Sequence, residues 1–289
     1  MYMYDGPAIT KAAGLIKNFL NYVLAHDACP EYAANIMAAR NVCDAAPQEL
    51  RAAYELLTSL PGSFNGATAS LFCAREDGDG LGKQEDFDEW VIFRLTVLER
   101  LTNTETRKKL AGLNDPSAIR AVDTREQEYE VRDIQRPRVK YKKMFEEELA
   151  RQGLGGGRVK PAGRVILGPA IIAHGRHGLP RPDEVDFSGA PGEQYLLEDE
   201  LLAKLQPGMK LRLVTCGLAF ADDGGEDFGG LRFIKKALDV RVSFDTFLPQ
   251  SLMARWREPV PNERPAPSVA NPNTESAAAG DAAGTADFD

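Results

Sequence analysis

The chain has 289 residues, with 35 Lys and Arg against 43 Asp and Glu, a formal net charge of −8. Its overall field does not draw it to polyanions, so any nucleic-acid contact needs a local basic patch. With 43% hydrophobic and 27% charged residues it has globular composition and is long enough for one large domain or two small ones.

No apolar run approaches the roughly 18 to 20 residues of a membrane span. The start, Met1 to Pro7, lacks the basic-then-apolar order of a signal peptide. Cys29, Cys43, Cys73 and Cys216 are scattered without a CxxC pair. That pattern is neither a zinc framework nor a small-domain disulfide set, and it predicts reduced thiols in the cytosol or nucleus.

Three helices are predicted first. Ile9, Ala12, Ile16, Phe19, Leu20, Val23 and Leu24 form an apolar stripe at helical spacing that ends near His26 and Asp27. A second helix starts at Pro30, with Glu31 beside the positive end of its dipole, and its face is Tyr32, Ile36, Ala39 and Cys43. A third starts at Pro47 and runs through Leu50, Tyr54 and Leu57 until Leu60-Pro61-Gly62 stops it. Phe19, Tyr22 and Tyr32 are assigned to the core of this unit.

From Arg75 to Glu89 seven acidic residues and interspersed glycines predict a solvated loop. Trp90 to Leu98 is apolar throughout and fits a buried strand or a buried helix. Thr104–Leu113 and Lys142–Gln152 read as helices, and Tyr129–Ile134 alternates like a strand. Period-2 patterning marks strands at Arg164–Ile172, Met209–Phe220 and Leu238–Leu248. A helix is expected at Glu193–Leu205, closed by Pro207-Gly208, and a loop at Asp222–Gly230. The Pro-, Ala- and Gly-rich residues 265–289 carry no core-forming pattern and are expected to be disordered.

The fold class is therefore α+β. A helical unit at 8–73 and an acidic loop at 74–89 precede a mainly antiparallel β region with one or two packed helices at 90–264. That region could form one domain with the helical unit.

Catalytic motifs are scarce. Gly155-Gly156-Gly157-Arg158-Val159-Lys160-Pro161 has proline where a phosphate-binding loop needs Ser or Thr and a backbone amide, so it reads as a flexible turn. His174 and His177 lack further ligands at zinc spacing. Asp222, Asp223, Glu226 and Asp227 miss the EF-hand spacing. His26, at a helix end, answers the helix dipole. With no nucleophile elbow either, the expectation is a binding protein without cofactor or metal, not an enzyme.

The strongest physical lead is a basic segment between 132 and 164. Arg132, Arg136, Arg138, Lys140, Lys142 and Lys143 are its candidate partner- or RNA-binding residues, with Tyr141 and Phe145 interleaved. Cations neutralise phosphates while aromatics stack bases, which is how single strands are held without sequence readout. A solvated charged face with two core aromatics gives the same pattern, and a cationic patch also suits an acidic protein surface.

Several blocks carry a family resemblance. Asn18 to Leu24, His26 to Tyr32, Ala38-Ala39-Arg40 and Leu60 to Asn65 resemble the fungal Argonaute-binding subunit of the Argonaute siRNA chaperone (ARC) complex. Glu193 to Glu198, Pro207 to Lys210, Ser243 to Pro249 and Trp256 to Ser268 are similar to it as well. The resemblance covers roughly 9–268, and against it the chain reads as shorter at its N-terminus. It implies a non-catalytic adaptor in the nucleus and cytoplasm that holds Argonaute loaded with duplex siRNA. Such a subunit restrains passenger-strand slicing and release in RNAi-directed heterochromatin formation and histone methylation. It also implies a second ARC-complex subunit as partner, with siRNA contacted indirectly and no membrane. The alternative is a direct RNA-binding module using 132–164.

Overall fold

A computed structural model describes residues 5–28, 30–73, 83–100, 103–151, 153, 160–172, 187, 189–221 and 227–245, with the backbone alone at 83–88, 99 and 227–230. The chain divides into two compact units, Met1–Phe247 and Leu248–Asp289, and every described residue lies in the first. His174, His177, the triple glycine, Asp222, Asp223, Glu226, Cys29 and the 265–289 tail fall outside the described residues.

Two long helices begin the chain. Helix α1, Gly6–Ala25, is started by the Asp5 side chain, which accepts from the Ala8 amide at 3.0 Å. It packs on α2, Ala33–Ser59, and Lys17 Nζ meets Asp44 Oδ1 at 2.5 Å between them. Helix α2 runs through Pro47 without ending, which corrects the expected start of a separate helix there. A proline removes one backbone bond, and here the following turns are held by burial of Glu49, Ala53 and Leu56.

After the cis Leu60–Pro61 peptide and Gly62 (φ 85°) come α3, Ser63–Phe72, α4, Lys83–Arg100, and α5, Thr104–Gly112. The undecided Trp90–Leu98 run is therefore helical, and α4 begins inside the acidic stretch. Strand β1, Ile119–Gln135, leads into α6, Val139–Arg151. Then follow β2, Ala162–Pro169, β3, Glu193–Glu198, α7, Asp199–Leu202, β4, Lys210–Phe220, and β5, Asp227–Arg241.

The helix expected at Glu193–Leu205 is thus a correction: its first six residues are strand. Glu, Leu and Ala favour a helix locally, but β2 offers a ladder from Ala162↔Glu198 to Leu167↔Glu193. The last strand also lies earlier than expected, ending at Arg241, and Asp227–Gly230 open it rather than close a loop.

The five strands form one antiparallel sheet in the order β3-β2-β1-β4-β5. Its outer strands β3 and β5 come into contact, so the sheet curls toward a barrel. Bulges supply the curvature. One lies in β1 between Val122 and Arg125, where Asp123 adopts φ 51°; another lies between Val131 and Asp133.

Alternation along the strands yields two cores. Tyr129, Val165, Tyr195, Leu197, Leu213 and Ile234 fill the concave side with Leu56 and Leu60 of α2. Leu196, Cys216, Leu218 and Phe233 face the opposite way, against Phe64, Trp90 and Phe93 of α3 and α4.

Buried polar side chains join distant elements. Asn65 is fully buried; its Nδ2 donates to Leu196 O at 2.9 Å and Pro61 O at 3.1 Å, and its Oδ1 accepts from Ile234 N at 3.0 Å. One amide therefore bridges the two edges of the sheet. Glu198 accepts from Ser63 Oγ at 2.7 Å and Phe64 N at 2.6 Å, which caps α3 from β3. A Cβ on Gly62 would collide with this carboxylate, and its φ also favours glycine. Glu49 accepts from the amide and hydroxyl of Ser243, each at 3.0 Å to one of its oxygens.

At one end of the concave core, Tyr195 Oη donates to Glu193 Oε2 at 2.5 Å. Tyr129 Oη lies 2.9 Å from Tyr195 Oη and 3.0 Å from the same carboxylate oxygen. Burial raises the pKa of both hydroxyls, so they remain protonated donors. Arg125 and Arg232 extend the network to Asp123, at 3.3 and 2.9 Å.

Candidate interaction surfaces

Helix α6 carries most of the basic segment. Its buried side is Phe145 and Leu149, four residues apart. Phe145 is 4% exposed and so packs in the core rather than offering a ring to a base. The Tyr141 ring lies 5.7 Å from it and 4.2 Å below the Arg100 guanidinium.

The six candidate cations separate into two groups. Arg132 donates to the carbonyls of Ala190 at 2.5 Å and Phe187 at 2.7 Å, packed over Gly168. Arg136 forks onto Asp199 at 2.6 and 2.8 Å, and Lys142 reaches the same carboxylate at 2.5 Å. Arg138, Lys140 and Lys143 are exposed and have no ion-pair partner among the described residues. Glu146 and Glu147 are exposed on the same helix, so the surface is of mixed charge.

Asp199 ties α7 to the start of α6. Hydrogen bonding to Arg136, with help from Lys142, holds its pKa down to about 2 against the opposing effect of burial. A depressed carboxylate stabilises the fold above its unfolded pKa and stops doing so as pH falls through the folded one. Stability is therefore expected to drop by about 1 kcal/mol from this pair between about pH 4 and pH 2. Asp199→Asn should be less stable at pH 7 and flatter over that window in urea titrations at stepped pH. An Asn variant that retains the wild-type slope would show that the decline comes from other carboxylates.

Two open grooves lie near this segment. One of about 360 Å³ is bordered by Glu130, Arg132, Pro169, Phe187 and Lys210. A second of about 220 Å³ is bordered by Leu95, Tyr141, Met144, Glu147 and Arg151. Both mix charges of opposite sign and apolar atoms. Among the described residues no group of three or more His, Cys, Asp or Glu could hold a metal. Among the described residues no helix is long and apolar enough to cross a membrane. Cys43, Cys73 and Cys216 are free thiols.

The second surface was hidden in the sequence. Helix α1 buries no residue completely. Ile9, Ala13, Lys17, Leu20 and Leu24 are half-buried at helical spacing, whereas Leu15, Ile16, Phe19 and Tyr22 are 54–65% exposed. Tyr32 is also exposed, at 56%. The assignment of Phe19, Tyr22 and Tyr32 to the core is therefore corrected. Apolar residues run around more of α1 than one neighbour can cover, and α2 takes only one side. The signal was Leu15, which lies outside the predicted stripe. His26 caps the helix at its C-terminus, its ring 4.2 Å from that of Tyr22.

Comparison with known protein families matches residues 1–259 to the Argonaute siRNA chaperone (ARC) complex subunit Arb1. The chain belongs to the Arb1 family. The match runs through the α1–α2 hairpin and the whole curled sheet, so both surfaces lie within the Arb1 region. As an Arb1-family chain, the protein is an Argonaute siRNA chaperone complex subunit, and its partner class is Argonaute in a complex. No curated protein and no solved structure matches it.

Proposed function

We propose that this Arb1-family protein is a non-catalytic adaptor that binds Argonaute carrying duplex siRNA, with a second ARC-complex subunit. It restrains slicing and release of the passenger strand in RNAi-directed heterochromatin formation and histone methylation. It acts in the fungal nucleus and cytoplasm, away from membranes. The observation that carries this reading is the family match over 1–259. A surface-based role is also in keeping with the mixed-charge grooves and the exposed faces of α1 and α6.

The test is a pull-down of the tagged full chain from a filamentous-fungal lysate, with and without ribonuclease. Argonaute retained in both samples is the expected result. Argonaute lost with ribonuclease would make RNA the bridge and favour direct RNA binding by the basic segment. In that case Arg138→Glu, Lys140→Glu and Lys143→Glu together should flatten the salt dependence of RNA affinity by up to about three log–log units. Arg136→Glu is a poorer probe of the surface, because it also breaks the pair with Asp199. No Argonaute in either sample would remove the adaptor reading.

A further inference from the structure

The solvent side of α1 combines composition, spacing and isolation in a way its packing inside the molecule does not use. Leu15, Phe19 and Tyr22 stand at i, i+4 and i+7, with Ile16 beside them. Their exposures are 62, 65, 61 and 54%. With aromatic side chains burying about 150–250 Å² each, the four leave roughly 400–500 Å² of mainly apolar surface open. The largest apolar patch on a monomer is typically about 300–600 Å² and is often functional.

Charge narrows the occupant. Lys11 and Lys17 are the only charged residues in α1, and Lys17 is engaged by Asp44. Lys11 is then the one cation of α1 without an ion-pair partner among the described residues, whereas tracking a phosphate backbone or holding an anionic bilayer needs several. Size narrows it further. A stable dimer buries about 800 Å² on each partner, nearly twice what the stripe offers, so pairing with a second copy of this chain falls short. A larger protein with a groove that receives the helix and grips its flanks reaches the required area. Anchors at i, i+4 and i+7 are how an amphipathic helix is read by such a groove.

We propose that the Leu15–Ile16–Phe19–Tyr22 face of α1 docks into an apolar groove on Argonaute, an assignment that rests on the adaptor reading above. Aromatic anchors at the centre of this face carry most of the affinity.

The experiment measures binding of the full chain to purified Argonaute loaded with duplex siRNA, by biolayer interferometry, alongside thermal unfolding. Phe19→Glu with Tyr22→Gln is expected to weaken binding by about 100-fold or more. Phe19→Ala, which favours the helix, should weaken it by about 10-fold with Tm unchanged. Wild-type binding that survives the double variant within about threefold overturns the assignment, since two central anchors cannot be lost so cheaply. So does a wild-type dimer that the double variant dissolves in sedimentation equilibrium, because the face then belongs to a second copy. Wild-type co-sedimentation with phosphatidylcholine–phosphatidylserine vesicles, abolished by the variant, would assign it to a membrane instead. Failure of the wild type itself to bind Argonaute overturns the adaptor reading and this docking with it, an outcome distinct from intact binding by the variants.

Discussion

Asn65→Leu is expected to cost about 3–5 kcal/mol of unfolding free energy, because it leaves several buried backbone groups without partners. Leucine has nearly the same size, so little of the loss comes from a cavity. What disappears is the pair of bonds to Leu196 O and Ile234 N, through which α3 closes the gap between β3 and β5. Pro61 O loses its partner as well. Urea unfolding at pH 7 measures the effect as a lower midpoint with an unchanged slope. A loss under about 1 kcal/mol would mean that the sheet edges hold together without the amide.

Asn65→Asp separates polarity from shape. Its carboxylate can still accept from Ile234 N, but it sets a negative oxygen against two carbonyls. Burial raises the pKa of such an acid. Stability of this variant relative to wild type should therefore recover as pH falls, when the protonated acid regains one donor. A relative stability that stays flat or falls with acidification would contradict this geometry.

Phe93→Ala is expected to cost about 3–5 kcal/mol through the cavity it leaves. Phe93 is fully buried at the centre of the second core. Its ring lies 4.8 Å from Phe72 edge-on, 5.8 Å from Trp90 and 6.3 Å from Phe64, centroid to centroid. Three neighbours from two helices cannot all move into the space, since each is held in the same buried cluster. Phe93→Leu retains most of the volume and should cost about 1–2 kcal/mol. Guanidinium unfolding followed by near-ultraviolet circular dichroism reads both variants. Equal losses for Ala and Leu would place the energy in ring geometry rather than in filled volume. Phe19→Ala on the exposed face of α1 is the internal control, expected to stay within about 0.5 kcal/mol of wild type.

Local patterning was enough for part of this architecture. The amphipathic period of residues 9–24 announces α1, and alternation announces β2 and β4 with boundaries within three residues. The blocks between Asn18 and Ser268 carried the family resemblance, and the match over 1–259 shows the family. The basic segment was legible as a run of charge. Which of its members are free was not, because Asp199 and the carbonyls of Phe187 and Ala190 arrive from far along the chain.

Tertiary structure decided the rest. Glu193–Glu198 is strand because β2 supplies a ladder, although its composition reads as helix. The run around Phe93 is a helix because two neighbouring helices and a sheet face surround it, and apolar content alone suits either form. Asn65 pairs with Ile234 across 169 positions, and Glu49 with Ser243 across 194. Periodicity tells which side of an element is apolar. It does not tell whether that side is covered, since burial belongs to partners brought together only by the tertiary fold. For the same reason Phe93 is core and Phe19 is exposed.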